Sequence, residues 1–121
     1  MTVGILTAAS LAHGLKYKWG EATMSKDAAL LAIEQGLCLE LRYDGFSRLV
    51  EVHAVGMSKT GQLCMRVYQV SGGSVSGERA GWKLMLIDKS FSAHVSTIRS
   101  AAPKAGYKRG DRDMLTVYSE L

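Results

Sequence analysis

The sequence predicts a mainly β protein, a small barrel of about five antiparallel strands preceded by a short helix. Three observations lead to this prediction. Apolar residues alternate with a period of two in several segments after residue 37, which is the pattern of strands with one buried face. Asp44-Gly45 separates the first two segments, and Asp-Gly is the strongest short signal for a hairpin. Both faces of the third and fourth segments are mostly apolar, as in a sheet that curls into a barrel.

The bulk properties predict a single cytoplasmic domain. A chain of 121 residues can build one core, and 47% hydrophobic with 21% charged residues is typical of globular proteins. The formal net charge of +4 mildly favours anionic partners. Cys38 and Cys64 are interpreted as buried free thiols in a reducing compartment. The N-terminal apolar run lacks the basic region of a secretory signal and is too short for a membrane span, so we expect no membrane partner.

The helix is expected to begin near Ser25 and to end at Gly36. Ser25 is a suitable N-cap, and Gly36 can adopt the left-handed conformation that ends many helices. Leu30, Ile33 and Leu37 recur at helical spacing and predict one apolar stripe. Residues 1–23 have little pattern and are interpreted as an N-terminal extension, with helix and disorder both left open. The domain itself is predicted to span residues 24–121.

The strands follow from the alternation and from the turn residues between them. The expected strands cover about 37–43, 47–55, 62–70, 82–88 and 114–121, and residues 89–110 are predicted to be a loop. A two-residue turn at Asp44-Gly45 fixes the register of the first hairpin. The predicted pairs are Tyr43 with Phe46, Leu41 with Arg48, Leu39 with Val50, and Leu37 with Val52.

The glycine-rich stretch SGGSVSGERAGWK, residues 71–83, resembles a phosphate-binding loop but lacks its context. A P-loop needs the spacing GxxxxGK followed by Ser or Thr, and a helix directly after it. Here Lys83 is followed by Leu84, and the next residues alternate as a strand. The stretch is therefore predicted to be a hairpin tip between the third and fourth strands.

The sequence contains no recognisable set of catalytic or metal-binding residues, so we expect neither an enzyme nor a cofactor. His53 lies two residues from Glu51 on one strand face, but no nucleophile motif accompanies the pair. The histidines and cysteines are scattered, without the spacing of a zinc site.

Several cations lie within or beside strands and are the candidate ligand-binding residues. A guanidinium in a strand must reach solvent, pair with a carboxylate or bind an anion. One interpretation is internal pairing of Arg42 or Arg66 with Glu40 or Glu51. The other is a shallow basic pocket in which Tyr68 or Tyr43 stacks on a base. The predicted site comprises Arg42, Arg48, His53, Arg66, Tyr68, Lys83 and Lys89.

From about Met24 onward the chain resembles a WYL domain, a bacterial ligand-sensing module. The resemblance lies in the order of four pieces: a helix leading into LELRYDG, the strand RLVEV, the strand GQLCMRVYQ and the strand end MLIDKS. It implies an SH3- or Sm-like barrel. Arg48 and Lys89 match positions that the family associates with its basic pocket.

The resemblance also implies a function. Such a domain is expected to be a non-enzymatic regulator that binds single-stranded nucleic acid or a nucleotide, often in phage defence. A stand-alone domain is expected to form a homodimer or to act on a regulator or effector protein. The alternative is an SH3-like protein-interaction module that acts through self-association or a partner, with Trp19 and Trp82 at its interface.

Overall fold

The computed structural model describes residues 15–121, with side chains described from residue 24 onward. Within these residues one helix precedes one antiparallel sheet of six strands, which confirms the mainly β prediction. The helix α1 spans Leu15–Gln35, and a 3-10 turn, Ile87–Lys89, separates the fourth strand from the fifth. The strands are β1 (Leu37–Tyr43), β2 (Phe46–Ser58), β3 (Leu63–Gly72), β4 (Gly81–Leu86), β5 (Ser90–Arg99) and β6 (Met114–Glu120).

The first hairpin has the predicted register over most of its length. Its ladder includes the pairs Tyr43–Phe46, Leu41–Arg48 and Leu39–Val50. The β1–β2 ladder ends at Leu39–Val50, so the fourth predicted pair, Leu37 with Val52, is not part of it. The turn at Asp44 and Gly45 has positive φ at both residues, as a two-residue hairpin turn requires.

The sheet follows the order β4-β3-β2-β1-β5, and β6 pairs with the second half of β2. Strand β5 corrects the prediction that residues 89–110 form a loop. Its sequence, SFSAHVSTIR, alternates Phe91, Ala93 and Val95 with polar residues, a strand pattern that the sequence analysis overlooked, and pairing with β1 and cover from α1 hold it in the sheet. Residues 100–113 connect β5 to β6 without a strand, and we call this segment the connecting loop.

Strands β4 and β5, at the two ends of the sheet, are connected through a hydrogen bond to a side chain and not through a ladder of backbone hydrogen bonds. Strand β4 pairs with β3, and β5 pairs with β1. Between them the Leu86 N–H donates a hydrogen bond to the Tyr43 hydroxyl at 3.0 Å. The described residues form no β4–β5 ladder, and closure into a barrel stays a prediction.

Helix α1 begins ten residues before the predicted cap and turns a different face to the sheet. Ser25 lies inside the helix and is buried, and Ala29 and Ala32 continue the same face at helical spacing. Leu30 and Ile33, the predicted stripe, are only half-buried beside it. Small side chains at the contact let the helix backbone approach β5. The described residues contain no helix with the length and apolarity of a bilayer span.

Strand β2 is covered on both faces at its centre. Every residue from Val50 to Gly56 is buried, and this run includes Glu51 and His53. Val50 and Val52 face the main core, which the inner faces of β1, β3 and β4 complete. The connecting loop contacts the opposite face, where Glu51 and His53 accept hydrogen bonds from its backbone. The strand therefore joins the core to the loop.

We predict that Ser25→Ala stabilises the protein by about 0.5–1 kcal/mol in urea unfolding, because alanine favours the helix and leaves no hydroxyl buried there. The Ser25 hydroxyl is buried and has no hydrogen-bond partner among the described residues. If Ser25 capped the helix, the same substitution would instead lower the free energy of unfolding by about 1 kcal/mol.

Candidate functional site

The structure separates the seven predicted site residues into several places. Arg42 hydrogen-bonds Ser47 across the first hairpin, and Arg48 is the next residue of β2. Because neighbouring strand residues point to opposite faces, Arg42 lies on the outer face and Arg48 on the core face. Lys83 pairs with buried Val67 in the ladder and shares that core face at the end of the sheet. Lys89 is exposed at the 3-10 turn.

Arg48 is a buried cation that contacts neutral groups. Its side chain donates hydrogen bonds to Gln69 Oε1 at 3.3 Å and to the Tyr43 carbonyl at 2.9 Å. The rings of Tyr43 and Phe46 lie 5.2 and 5.8 Å from the guanidinium carbon. No carboxylate of the described residues forms an ion pair with it, and its Nε has no hydrogen-bond partner there. The residue is 5% exposed, so its charge is poorly compensated.

Arg66, in contrast, is neutralised by the connecting loop. Its Nε donates to Asp111 Oδ2 at 2.6 Å, and its Nη2 contacts both Asp111 and Asp113. Hydrogen bonds from Arg66 hold the pKa of the Asp111 carboxyl below its ordinary value. The predicted internal pairing of Arg66 is therefore present, but its partners are these aspartates rather than Glu40 or Glu51. Arg42 donates to the Gly45 carbonyl and to Ser47 instead.

Glu51 and His53 anchor the connecting loop to the sheet. Glu51 Oε2 accepts a hydrogen bond from Ala101 N at 2.6 Å, and its Oε1 lies 3.5 Å from the Lys104 ammonium. His53 Nε2 accepts from Lys104 N at 3.0 Å, and the His53 carbonyl accepts from the Tyr107 hydroxyl at 3.3 Å. The imidazole is fully buried, and desolvation lowers its pKa. It acts as a structural anchor and is not placed to touch a ligand.

Four rings lie together where the connecting loop meets the sheet. The His53 ring lies 4.7 Å from the Trp82 ring and 5.0 Å from the Tyr107 ring. Tyr68 contacts Trp82 edge-on at 5.4 Å, and the Lys104 ammonium lies 5.0 Å from the Tyr68 ring. Trp82 is 36% exposed, so its ring remains accessible to a ligand.

Trp82 and Tyr107 border an open cleft, which we call the aromatic groove. Their rings are nearly parallel, with 23° between the planes and 6.3 Å between the centroids. The groove has a volume of about 530 Å³. It is lined by Arg66, Trp82, Gly106, Tyr107, Lys108, Arg109, Gly110, Asp111, Arg112 and Asp113. Four of these side chains are cationic and two are carboxylates, so the lining of the groove carries a net positive charge.

A second cleft, of about 390 Å³, lies on the outer face of β1 and β2 beside Arg42. His94 borders it and forms an ion pair with Glu40 at 2.7 Å. Hydrogen bonds to the Ser92 carbonyl and to Glu40 raise the pKa of His94. The residues that line this cleft include no Trp, Tyr or Phe, so it offers no large ring on which a base could stack. No group of three or more metal-binding side chains occurs in the part of the chain that the structure describes.

Sequence analysis missed the part of the groove that the connecting loop supplies. It identified Arg66 as a site residue and Trp82 as a residue of a protein interface, but predicted only a loop for most of the basic run KAGYKRGDR, residues 104–112. An aromatic residue inside a basic cluster, here Tyr107, is the signal that was available. Its proximity to Trp82 depends on residues far apart in the chain.

Comparison with models of known protein families, with curated proteins and with solved structures gives no match. The resemblance to WYL domains therefore stays a prediction that depends on the order of its sequence motifs.

We predict that Asp111→Asn lowers the free energy of unfolding by about 1–3 kcal/mol at pH 7, because it removes a buried charge-assisted pair with Arg66. A carboxylate with a lowered pKa stabilises the fold above its ordinary value of 3.8 and loses this contribution at lower pH. The difference in free energy of unfolding between Asp111→Asn and the unmodified protein should therefore become smaller below about pH 4 in urea titrations.

Asp113→Asn is the matched control. Its side chain is 50% exposed, and we expect a loss below about 1 kcal/mol. Equal losses in the two variants would contradict this assignment.

Proposed function

We propose that this chain is a non-enzymatic regulator that binds single-stranded nucleic acid or a nucleotide in the aromatic groove. The observation that carries the proposal is the partly exposed Trp82 ring, which lies beside Tyr107 and among the cations of the groove. Proteins that bind single strands combine aromatic rings, on which bases stack, with cations that follow the phosphates. Tyr43 and Tyr68, the stacking residues expected from the sequence, each already lie beside a cation of the protein.

Some cations of the aromatic groove are paired with carboxylates and others are not, and the unpaired ones support an anionic ligand. Arg66 is paired with two aspartates, and Arg109 contacts Glu120 at 3.3 Å. Lys108 and Arg112 line the groove and have no ion pair among the described side chains. These two cations are therefore available to phosphates, whereas Arg66 mainly holds the connecting loop in place.

The resemblance to WYL domains adds to this proposal a barrel fold and a role in regulation. Strand order β4-β3-β2-β1-β5, with a 3-10 turn between β4 and β5, supports an SH3- or Sm-like barrel whose two ends meet at Tyr43. We assign the chain to regulation, with phage defence and an effector protein partner as the family implies. Two buried free cysteines, Cys38 and Cys64, support a cytoplasmic location.

We predict that a short fluorescent oligothymidylate binds the protein and that Trp82→Ala weakens this binding by about tenfold, because one stacked base contributes about 1–3 kcal/mol. Lys108→Ala with Arg112→Ala should weaken binding and reduce the slope of log affinity against log salt by about 1.4. Fluorescence anisotropy over about 50–300 mM salt measures both effects.

Two control variants separate the aromatic groove from other basic surfaces. Lys59→Ala removes an exposed cation from the β2–β3 turn and should leave affinity and salt slope nearly unchanged. Lys89→Ala tests the position that matches the family pocket. If Lys89→Ala abolishes binding while Trp82→Ala does not, the ligand binds at the family position and our assignment to the groove is wrong.

A second candidate function, self-association, is favoured by the edge strand β6. Among the described strands β6 pairs with β2 alone, and its residues from Met114 to Ser119 carry no charge and no proline. Leu115 is 72% exposed and Tyr118 is 42% exposed. Natural sheet edges are usually protected by charge or proline, because an uncharged edge can pair with another strand. Two copies related by a twofold axis would pair their β6 strands antiparallel.

We predict that this pairing, if it forms, gives a dimer that is insensitive to salt and that Leu115→Lys dissociates it. Analytical ultracentrifugation over about a hundredfold range of concentration measures the dimer. Val75→Lys places the same charge at an exposed apolar residue of the β3–β4 hairpin tip and should leave the dimer intact. A monomer at all concentrations, or a dimer that persists in Leu115→Lys, excludes this function.

A further inference from the structure

We propose that protonation of His53 releases the connecting loop and thereby disassembles the aromatic groove, so that ligand binding weakens as the pH falls below neutrality. The first half of this inference concerns the loop alone. The second half rests on the proposed function, because it assumes that the groove is where an anionic ligand binds.

The hydrogen bonds of His53 define one neutral tautomer. Nδ1 lies 2.9 Å from the carbonyl oxygen of Glu51, which can only accept, so Nδ1 carries the proton. Nε2 lies 3.0 Å from the backbone nitrogen of Lys104, which can only donate, so Nε2 carries a lone pair. Both ring nitrogens are used, and the side chain is fully buried.

A second proton on the ring cannot be accommodated while the loop stays in place. It would lie on Nε2 and face the Lys104 N–H, so a hydrogen bond would become a contact between two donors. The charged ring would also be buried beside Trp82 and Tyr107. Removing the Lys104 backbone from Nε2 relieves both problems, because water can then solvate the imidazolium.

The ionisable groups around the ring act in opposite directions. Glu51, on the same strand, favours the imidazolium, whereas the Lys104 ammonium from the loop opposes it. The phenol of Tyr107 is neutral in the relevant range, because burial raises its pKa. Trp82 of β4 is not ionisable. Desolvation is the largest effect and lowers the pKa of His53, so the closed loop favours the neutral ring.

The anchored loop residues connect this titration to the groove. Ala101, Lys104 and Tyr107 are held by Glu51 and His53 at three successive points. The middle point is the one that protonation breaks. Tyr107 follows three residues later and lies beside Trp82 in the groove, and the other lining residues of the loop are its neighbours Gly106 and residues 108–113. Release at Lys104 therefore frees the segment that leads into Tyr107, whose remaining hydrogen bond to β2 is the 3.3 Å contact of its hydroxyl with the His53 carbonyl.

The sign of the effect follows from the two states of the ring. In the released loop the imidazole has its ordinary pKa of about 6.5, and in the closed loop its pKa is lower. The closed state therefore has its full stability above about pH 6.5 and loses it as the pH falls. Between pH 7.5 and 5.5 the released population should rise by up to about tenfold.

Hydrogen exchange of the ligand-free protein tests the loop directly. Protection of residues 101–107, corrected for the intrinsic pH dependence of exchange, should fall by up to about tenfold from pH 7.5 to 5.5. His53→Gln should abolish this fall, because the Gln carboxamide oxygen can accept from Lys104 N and does not titrate. His94→Gln removes the other described histidine and should retain the fall. Constant protection in the unmodified protein, or an equal fall in His53→Gln, would overturn the proposal.

If His53→Gln does not fold, NMR of the histidine rings in the unmodified protein tests the proposal instead. The unmodified protein should show a neutral His53 with the proton on Nδ1, titrating below the ordinary value of about 6.5. The Lys104 amide should shift along the same titration curve. A His53 ring that is protonated at neutral pH, or one that carries its proton on Nε2, would refute the mechanism.

Oligothymidylate affinity tests the connection to binding. Acidification adds positive charge to the protein, so electrostatics alone would strengthen binding to a polyanion. We expect affinity instead to fall by up to about tenfold between pH 7.5 and 5.5, and to stay constant or rise in His53→Gln. Tighter binding at low pH in the unmodified protein would contradict the connection. If no oligonucleotide binds at any pH, the proposed function fails, while hydrogen exchange still decides whether the loop is released.

Discussion

Strand β2 has to pair with three other strands, and the rest of the structure depends on how it does so. It pairs with β1 near its start, with β3 along most of its length and with β6 near its end. A register shift between Val52 and Ala54 marks an irregular ladder, and such irregularities bend a strand. Strand β6 can approach because residue 56 is glycine, since a Cβ at that position would overlap the carbonyl oxygen of Thr116. The connecting loop leads into β6 and is thereby held against the outer face of β2.

The two partly or fully buried arginines of the sheet are compensated in different ways. Arg66 binds two carboxylates of the connecting loop, so its charge contributes to the fold. Arg48 binds a carbonyl and a carboxamide, and lies near two aromatic rings. Neutral acceptors compensate a desolvated guanidinium less completely than a carboxylate does. The positive charge of Arg48 is therefore less completely compensated than that of Arg66.

The aromatic groove is joined to the core by two polar side chains. Glu51 and His53 lie inside a fully buried run of β2, yet their hydrogen-bond partners belong to the connecting loop. A ligand that binds only when the loop is ordered would stabilise these contacts. Loss of the contacts would in turn weaken ligand binding, by the same free energy by which the ligand stabilises them.

Local sequence patterns determined the hairpin, most strands and the turn residues. Alternation in β1 and β2, with Asp44-Gly45 between them, predicted a register that the structure confirms at three pairs. Strand β5 was missed, although Phe91, Ala93 and Val95 alternate there with polar residues; in the structure, pairing with β1 and cover from α1 hold it in the sheet. The start of α1 was also missed, because Ser25 has the chemistry of a cap but packs into the interior.

In the candidate site, too, the sequence predicted some features and the tertiary structure decided the others. The sequence by itself determined which residues are unusual: cations within strands, a histidine near a glutamate, and a basic run containing one tyrosine. Tertiary structure decided their roles. It paired Arg66 with Asp111, covered His53 with the backbone of Lys104 and brought Tyr107 beside Trp82. These partners lie 25 to 51 positions apart in the chain. Contacts at such separation depend on the global strand arrangement, which local propensity does not encode.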